Sequence, residues 1–369
     1  MILEINSRGP GMKIKKFSAI LFLFIVIFAM QIAYFDYKIT RQTDELFDLQ
    51  YEIGRQIETL RYRIENIESQ VHFAAKRSFV NIHKVPTPVT FCGDTLDYSD
   101  PILRERIDRE FYSLLGNQGQ IQLYLKRMKK YFPHIENHLR KSRLPVDLKY
   151  LAVHESALLP SIRSRSSAVG LWQFMRSTGR LYNLKINHYV DERRDPYKAT
   201  PAAMRLIKNL YNKFQKWPLV LAAYNGGDNR LSKMIKKQAS NSFVDLSLPE
   251  ETERYYFKIL ATKLVLAQYE RFGFQMNEDD YFHSENLYSF EFTVTENQIS
   301  LTDIANKCDM TLAAFKIYNP QFINSYLPRG IYLIHIPESN RNTFQANIAL
   351  QEKRKFDYTD AKQEFILMD

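Results

Sequence analysis

Residues 154 to 175 read HESALLPSIRSRSSAVGLWQFM, and this stretch, with the helix that leads into it, decides the fold. Pro145 suits the first position of that helix, and Pro160 predicts its end, because the residue before a proline is pushed out of the α region. Apolar residues at helical spacing predict a face turned toward a core: Leu148, Leu151, Ala152 and Leu159. Glu155 falls on that apolar face.

A carboxylate on an apolar face is costly to bury, so it is either paired or kept protonated with a raised pKa. One interpretation is a structural ion pair with Arg163 or Arg165, and the helix by itself favours it, since structural pairs also perturb pKa values. The other interpretation is a carboxyl group held protonated for chemistry. The segments that follow the helix decide between the two.

Length and composition bound the classes of protein. A chain of 369 residues accommodates about two domains plus extensions. The formal net charge of +10 indicates anionic surroundings such as nucleic acid, a membrane surface or an acidic polymer. Zinc-like Cys/His spacing, a P-loop and a dinucleotide glycine pattern are all missing from the sequence, so we expect no metal and no cofactor. Cys92 and Cys308 neither establish a disulfide nor exclude one.

The N-terminus has the features of a membrane anchor. Residues 1–16 form a basic segment, and the uncharged apolar run that follows, assigned to residues 17–35, is long enough to span hydrocarbon. It is longer than a typical signal-peptide core, no small-residue cleavage site follows it, and no cysteine stands where a lipoprotein would be acylated. We therefore predict a signal-anchor with its basic end in the cytoplasm and the remaining chain outside. The alternative is a cleaved signal peptide.

A heptad pattern predicts a coiled coil over residues 40–75 and, through it, a homodimer. The two core positions are occupied by apolar residues with Gln50 as the polar exception: Leu46, Ile53, Leu60 and Ile67 in one, and Ile57, Ile64 and Val71 in the other. The alternative is a single amphipathic helix folded against the body of the protein. Residues 76–100, with their prolines and polar residues, are typical of a linker.

Residues 101–273 have a helical pattern almost throughout, which predicts an all-α domain. Besides the opening stretch, the segments VDERRDP (190–196), LAAYNGG (221–227) and LPEETERYY (248–256) concentrate acids, tyrosines, an asparagine and glycines. Each also has a structural interpretation as core, charge network or helix end. An enzyme that cleaves a sugar polymer needs the same groups, namely a carboxyl protonated near neutral pH, amides and hydroxyls for sugar oxygens, and aromatic faces.

In this order, HES, GLWQFM, STGRLY, VDERRDP, AAYNGG and LPEET resemble the lysozyme-like catalytic domain of lytic murein transglycosylases, most closely their membrane-bound D type. The resemblance implies that Glu155 protonates the glycosidic oxygen between N-acetylmuramic acid and N-acetylglucosamine. The same residue then acts as base toward the muramic 6-hydroxyl, which closes a 1,6-anhydro ring. A partly desolvated carboxyl of raised pKa suits the acid step.

The resemblance also implies roles in orienting Glu155 and in hydrogen bonding to the sugars for a further set of residues: Ser164, Gln173, Met175, Tyr224, Asn225 and Tyr255. The sequence departs from the family pattern at three positions, Ser167, Arg176 and Gly226, and the first two bear on the rim of the substrate groove. Ordinary glycosidases use two carboxylates, and the nearest candidates for a second are Asp191, Glu192 and Asp195. We interpret these three as structural, because an intramolecular 6-hydroxyl makes an enzyme nucleophile unnecessary.

Residues 288–338 predict a strand, two short helices and a strand, and this pattern resembles a lysin-motif (LysM) module, which binds glycans that contain N-acetylglucosamine. The usual GDTL is replaced by NQISL (297–301), while Leu301, Ile304, Ala305, Asn319 and Pro320 keep their places. The alternative is a degenerate module that serves as a spacer or interaction surface. Nothing is predicted for the charged tail, residues 339–369.

Taken together, these features predict a mainly α protein with a transmembrane helix, a coiled coil, a lysozyme-like catalytic domain and a small βααβ LysM-like domain. The predicted function is that of a lytic transglycosylase in the bacterial inner membrane, single-pass, with its catalytic domain in the periplasm. Its predicted partners are peptidoglycan glycan strands and the membrane, with no nucleic acid. The alternatives are a muramidase that hydrolyses the same bond and a non-catalytic peptidoglycan-binding scaffold.

Overall fold

The computed structural model describes residues 11–79, 83–282 and 285–348. The chain divides into two compact units, Met1–Ser78 and Phe79–Asp369. The described residues of the first unit belong to one helix, α1 (Gly11–Phe79), of 69 residues, whose last residue is counted in the second unit. Its residues Ile20–Ser69 are, by length and composition alone, one helix able to cross a membrane, with a window of mean hydropathy 2.0. The heptad side chains of α1 are exposed in this unit taken by itself, so the coiled coil stays a prediction.

The second unit begins with a small hairpin of two strands, β1 (Val89–Phe91) and β2 (Asp94–Leu96). Val89 pairs with Leu96, and Phe91 is completely buried in the helical core. The Lys263 ammonium donates to the Thr90 carbonyl at 2.7 Å. The prediction of a linker over residues 76–100 is therefore wrong for the hairpin. Val89 and Phe91, two residues apart, bury one face of this hairpin. The prolines and polar residues around them dominate the composition, so the sequence does not reveal the strands.

The helical body consists of eight helices within the described residues: α2 (Pro101–Leu115), α3 (Gln118–Lys141), α4 (Lys149–Ser156), α5 (Arg176–Leu181), α6 (Pro196–Phe214), α7 (Trp217–Gly226), α8 (Asp228–Gln238) and α9 (Glu250–Leu266). Two of them begin at an Asp-Pro pair. The side chain of Asp100 accepts hydrogen bonds from the first amides of α2, and that of Asp195 does the same for α6. The proline that follows each aspartate has no N–H, so it leaves no donor unpaired at the first position of the helix. Helix α9 is mostly buried and packs against α2, α4 and α7.

Helix α4 is shorter than Pro145 and Pro160 predict. Pro145 instead precedes a 3₁₀ turn, Val146–Leu148, and α4 starts at Lys149. It ends at Ser156, because Ala157 and Leu158 adopt left-handed φ values of +51° and +57°. Glu155 consequently lies in the last turn of α4, where the chain leaves the helix for the segment that ends at Met175.

The C-terminal module contains β3 (Leu287–Ser300), α10 (Leu301–Lys307), α11 (Leu312–Tyr318) and β4 (Tyr326–Pro337). Strands β3 and β4 pair antiparallel from Leu287↔Pro337 to Ser300↔Tyr326, with an irregularity between Val294 and Gln298. The side chain of Ser300 caps α10, and that of Thr311 caps α11. The predicted mainly α fold with a βααβ module is confirmed. Cys92 and Cys308 are both buried and free.

Candidate active site

Glu155 meets α9 at Tyr255. The Tyr255 hydroxyl donates a hydrogen bond to Glu155 Oε1, and the tyrosine side chain is only 3% exposed. The Tyr255 ring also contacts the His154 ring edge-on at 5.2 Å. Burial lowers the pKa of His154 to about 4, so this imidazole is uncharged near neutral pH. His154, the residue before Glu155 on α4, thus packs against the ring of Tyr255, whose hydroxyl donates to the Glu155 carboxyl group.

The surroundings raise the pKa of Glu155 from its usual 4.5 to about 7. Burial is the largest cause, and the nearby Glu251 carboxylate adds to it, while the hydrogen bond from Tyr255 acts in the opposite direction. A carboxyl group with a pKa near 7 exchanges its proton within the neutral pH range. That protonation balance is the one that general acid catalysis needs.

Tyr224 is the second tyrosine near Glu155. Its hydroxyl donates to the Trp172 carbonyl at 2.6 Å. Burial raises the pKa of Tyr224 and that of Tyr255 well above 10, and the Glu155 carboxylate raises both further. Both hydroxyls therefore keep their protons and remain donors across the physiological pH range.

The segment from Ser164 to Met175 is held in a tight reversal by backbone contacts. Val169 and Phe174 exchange two backbone hydrogen bonds, each 3.1 Å long. Gly170 has φ +88°, and a Cβ at this position would lie 1.7 Å from the Arg193 carbonyl oxygen, so only glycine fits. The Ser156 hydroxyl lies 3.0 Å from the Leu171 carbonyl and ties the segment to the end of α4.

Three of the predicted site residues lie on this segment. Gln173 has φ +46°, and its side-chain amide donates to the Gly170 carbonyl at 2.8 Å. The Met175 side chain is 44% exposed and available for contact. The Ser164 hydroxyl accepts from the Ala168 amide at 3.0 Å, so it stabilises the turn itself.

Asn225 faces the start of α9. The Thr252 hydroxyl donates to Asn225 Oδ1 at 2.9 Å, and Asn225 Nδ2 lies 3.4 Å from Glu251 Oε1. Glu155, Tyr224 and Tyr255 therefore lie near one another. Asn225 is linked to them through Glu251, whose charge acts on Glu155. Glu251 is not among the site residues predicted from the sequence. The available signal was the cluster of acids in LPEET, which lies at the start of α9.

Asp191, Glu192 and Asp195 all have structural partners. Asp191 forms a buried bidentate ion pair with Arg193, with both N–O distances 2.8 Å. Glu192 accepts from the Lys185 amide at 2.6 Å, and Asp195 caps α6. Arg163, a candidate ion-pair partner for Glu155, instead donates to the Ser167 hydroxyl at 2.9 Å.

Across residues 11–79, 83–282 and 285–348, no group of three or more His, Cys, Asp or Glu side chains is placed to hold a metal ion. The carboxyl group of Glu155 lies beside the hydroxyls of Tyr224 and Tyr255 and the carboxylate of Glu251, an arrangement able to release and take up a proton.

Two family models match parts of this chain, one within the helical body and one over the βααβ module. Residues 133–246 match the family described as "Transglycosylase SLT domain". Residues 290–353 match "Lytic transglycosylase MltD, LysM-like domain". The predicted resemblance to the lytic transglycosylases, D type, with a C-terminal LysM-like module is confirmed.

Among curated proteins, the chain is 29% identical over 268 residues to "Membrane-bound lytic murein transglycosylase D" of Escherichia coli K12, covering 71% of this chain and 58% of that protein. The chain thus spans little more than half the length of this relative. It is 30% identical over 131 residues to "Peptidoglycan transglycosylase gp16" of Escherichia phage T7, covering 34% of this chain and 10% of that protein.

Two solved structures are similar at low TM-scores. The 70 kDa soluble lytic transglycosylase of Escherichia coli has a TM-score of 0.31 at 22% identity, covering 37% of this chain and 24% of that chain. An inactive mutant of lytic transglycosylase Slt from Pseudomonas aeruginosa has a TM-score of 0.32 at 17% identity, covering 41% and 26%.

Proposed function

We propose that this protein is a peptidoglycan lytic transglycosylase. It cleaves the β-1,4 bond between N-acetylmuramic acid and N-acetylglucosamine and forms a 1,6-anhydromuramic end. The observation that supports this most is the protonatable carboxyl group of Glu155, with a pKa of about 7, under the hydroxyl of Tyr255. The SLT match and the names of the relatives support the same activity and the same substrate.

The reaction divides into two proton transfers on one carboxyl group. In the first, protonated Glu155 gives its proton to the glycosidic oxygen, and the bond to the muramic C1 breaks. The Tyr255 hydroxyl stabilises the carboxylate that forms, as a charge-assisted hydrogen bond does in a dry site. In the second, this carboxylate takes the proton of the muramic 6-hydroxyl while the hydroxyl oxygen, O6, bonds to the muramic C1. Glu155 ends protonated, and no water is consumed.

The remaining site residues have supporting roles in this proposal. Gln173 and Met175 line the sugar-binding side, and Asn225 orients the acetamido groups together with the start of α9. Tyr224 keeps the Trp172 backbone in place beside Glu155 through its 2.6 Å hydrogen bond. Ser164 maintains the turn from which this segment begins.

The muramidase alternative requires a second carboxylate to activate water. Asp191, Glu192 and Asp195 are already engaged. Among the described residues, the carboxylate of Glu251 is close enough for its charge to raise the Glu155 pKa. An intramolecular 6-hydroxyl needs no such group, and the SLT match and the names of the relatives favour the transglycosylase.

The test is digestion of purified peptidoglycan by the full chain in detergent, with the released muropeptides identified by mass spectrometry. We expect 1,6-anhydromuramic products, which are lighter by one water than hydrolysed ones, and none from the Glu155→Gln variant. Reducing muramic ends that disappear in Glu251→Gln would establish the muramidase. Unchanged activity in Glu155→Gln would show that the site assignment is wrong. No release by the folded protein would favour the scaffold.

We further propose that residues 17–35 anchor the protein in the bacterial inner membrane by a single pass, with the catalytic domain in the periplasm. The apolar composition of α1 and the "membrane-bound" name of its relative support this. A C-terminal alkaline phosphatase fusion, which is active only in the periplasm, tests the orientation. An inactive fusion that remains in the membrane fraction would overturn it.

The proposed homodimer through residues 40–75 has its own test. Ile57 lies in the heptad core, whereas Arg55 lies two residues away, about 200° around the helix. Ile57→Cys should give a disulfide-linked dimer under mild oxidation in membranes, and Arg55→Cys should not. Equal cross-linking of both variants, or of neither, would contradict a coiled-coil dimer.

A further inference from the structure

The loop of residues 186–195, called here the bridging loop, belongs to the helical body but pairs with the LysM-like module. The Asp191 amide donates to the Gln321 carbonyl at 2.8 Å, and the Ile323 amide donates to the Tyr189 carbonyl at 3.0 Å. Val190 and Phe322, between them, form an antiparallel bridge. The module therefore holds this loop through a short stretch of backbone pairing, which depends on register rather than on side-chain identity.

Apolar packing joins the same two elements. Val190 is buried, and its side chain lies in the core of the LysM-like module together with Phe322 and Leu327, rather than in the core of the helical body. Lys185, just before the bridging loop, places its ammonium 4.4 Å from the centre of the Tyr332 ring on β4. The loop thus contributes a side chain to the interior of the module.

A buried polar contact completes the junction. His335 on β4 and Asp195 at the end of the bridging loop have side chains that are each 1% exposed, with Nε2 and Oδ2 3.2 Å apart. Because a carboxylate only accepts, Nε2 is the donor, and Nδ1 is then free to accept from the Ser289 hydroxyl, 2.7 Å away. The His335 ring also contacts the Tyr197 ring at 4.8 Å. Loosely associated domains seldom bury such a contact, since each group would lose its partner on separation.

The other side of the bridging loop holds the segment from Ser164 to Met175. The Arg193 guanidinium, fixed by Asp191, donates to the Ser167 carbonyl at 3.2 Å and to the Phe174 carbonyl at 3.0 Å. The Arg193 carbonyl oxygen packs against Gly170, so closely that a Cβ at Gly170 would lie 1.7 Å from it. One short loop therefore contacts the LysM-like module on one side and the backbone that carries Gln173 and Met175 on the other.

We propose that the LysM-like module is a positioning element of the active site. By holding residues 189–191 and Asp195, the module fixes Arg193, and Arg193 fixes the segment that presents Gln173 and Met175 to substrate. His335 is the positioning residue at the centre of this contact. The catalytic consequence rests on the proposed function, whereas the mechanical coupling between module and segment does not. This role is separate from any binding of glycan by the module.

The test uses the full chain in detergent and two readouts, hydrogen exchange and kinetics on a short soluble muroglycan. His335→Leu removes the donor, and His335→Gln restores an N–H near the position of Nε2. Cys308→Ala, in the buried core of the same module, is the matched control, because it weakens the module and leaves in place the backbone pairing of the bridging loop and the His335–Asp195 contact. Should His335→Leu not fold, Asp195→Ser replaces it, since serine keeps the helix cap and is too short to reach His335 Nε2.

In His335→Leu, amide exchange over residues 167–174 should rise about tenfold, as expected for the loss of one hydrogen bond to a charged group. KM for the short glycan should rise several-fold, with the pH profile of kcat unchanged, because Glu155 is not touched. His335→Gln should restore both, and Cys308→Ala should lower Tm while changing neither. Faster exchange in residues 319–335 with unchanged exchange in 167–174 would overturn the proposal. A wild-type protein without activity would refute the proposed function alone, since the exchange result still decides the coupling.

Discussion

Replacing Tyr255 by phenylalanine removes the hydroxyl that donates to Glu155 and leaves the buried ring in place. That hydrogen bond lowers the pKa of Glu155 against the effect of burial. A hydrogen bond to a charged group contributes about 1.5–3 kcal/mol and one to a neutral group about 1 kcal/mol, so the carboxylate loses roughly 1 kcal/mol more than the acid. One pKa unit corresponds to 1.36 kcal/mol. The pKa of Glu155 should therefore rise by somewhat less than one unit.

Two changes in the rate should accompany this shift. The active form is protonated Glu155, so the alkaline fall in activity should move from about pH 7 toward about pH 8 in Tyr255→Phe. The carboxylate produced in the first proton transfer also loses its donor, and a loss of about 1 kcal/mol lowers the maximal rate roughly fivefold. The variant is thus slower at its optimum and less sensitive to alkaline pH.

The assay is the initial rate of anhydromuropeptide release as a function of pH. Tyr256→Phe is the matched control, since it deletes a hydroxyl from the next residue, whose pKa is raised by burial and by the charge of Cys92 rather than by Glu155. Its pH profile should equal that of the wild type. If Tyr255→Phe is folded and slower but its alkaline limb stays in place or moves to lower pH, the hydroxyl does not stabilise the Glu155 carboxylate, and the reasoning is wrong.

Further predictions concern stability. The folded-state pKa of Glu155, about 7, lies above its ordinary 4.5, so the contribution of this group to stability is fully present below pH 4.5 and is lost as pH rises through 7. Glu155→Gln should therefore gain about 3 kcal/mol relative to the wild type between pH 4.5 and pH 8 in denaturant unfolding, and an equal difference at both pH values would contradict the raised pKa. Gly170→Ala should cost more than about 4 kcal/mol or prevent folding, because its Cβ would meet the Arg193 carbonyl at 1.7 Å. Gly227→Ala, at the same φ of +88° but with nothing within 4 Å, should cost only the backbone strain of about 1–3 kcal/mol. Similar melting temperatures for the two variants would refute the steric argument.

The carboxyl group of Glu155 could be predicted from the sequence, but its partner could not. Helical periodicity placed Glu155 on an apolar face, and a local pattern is enough for that. Tyr255, its hydrogen-bond partner, lies 100 residues further along the chain. The pairing exists because α4 packs against α9. Nothing within either helix specifies that contact.

The boundaries of α4 and the hairpin before α2 show the same limit. Pro145 and Pro160 are reliable local signals, yet α4 ends at Ser156 because Ala157 and Leu158 take left-handed conformations that bury Leu158 in the core. Val89 and Phe91 stand in a stretch with the composition of a linker, and burial against the helical body turns that stretch into a strand pair. In both places tertiary packing overrides local preference.

The sequence by itself determined the helical class, the βααβ module, the apolar N-terminal helix and the glutamate, because each depends on the spacing of residue types over fewer than about twenty positions. Only the tertiary structure decided the pKa of Glu155, which depends on burial, and the presence of Glu251 beside it. It alone decided that the bridging loop contacts both parts of this unit. Val190 lies in the core of the LysM-like module, and Arg193 donates to the Phe174 carbonyl in the helical body. Desolvation and long-range pairing depend on which surfaces meet, and that is a property of the assembled chain.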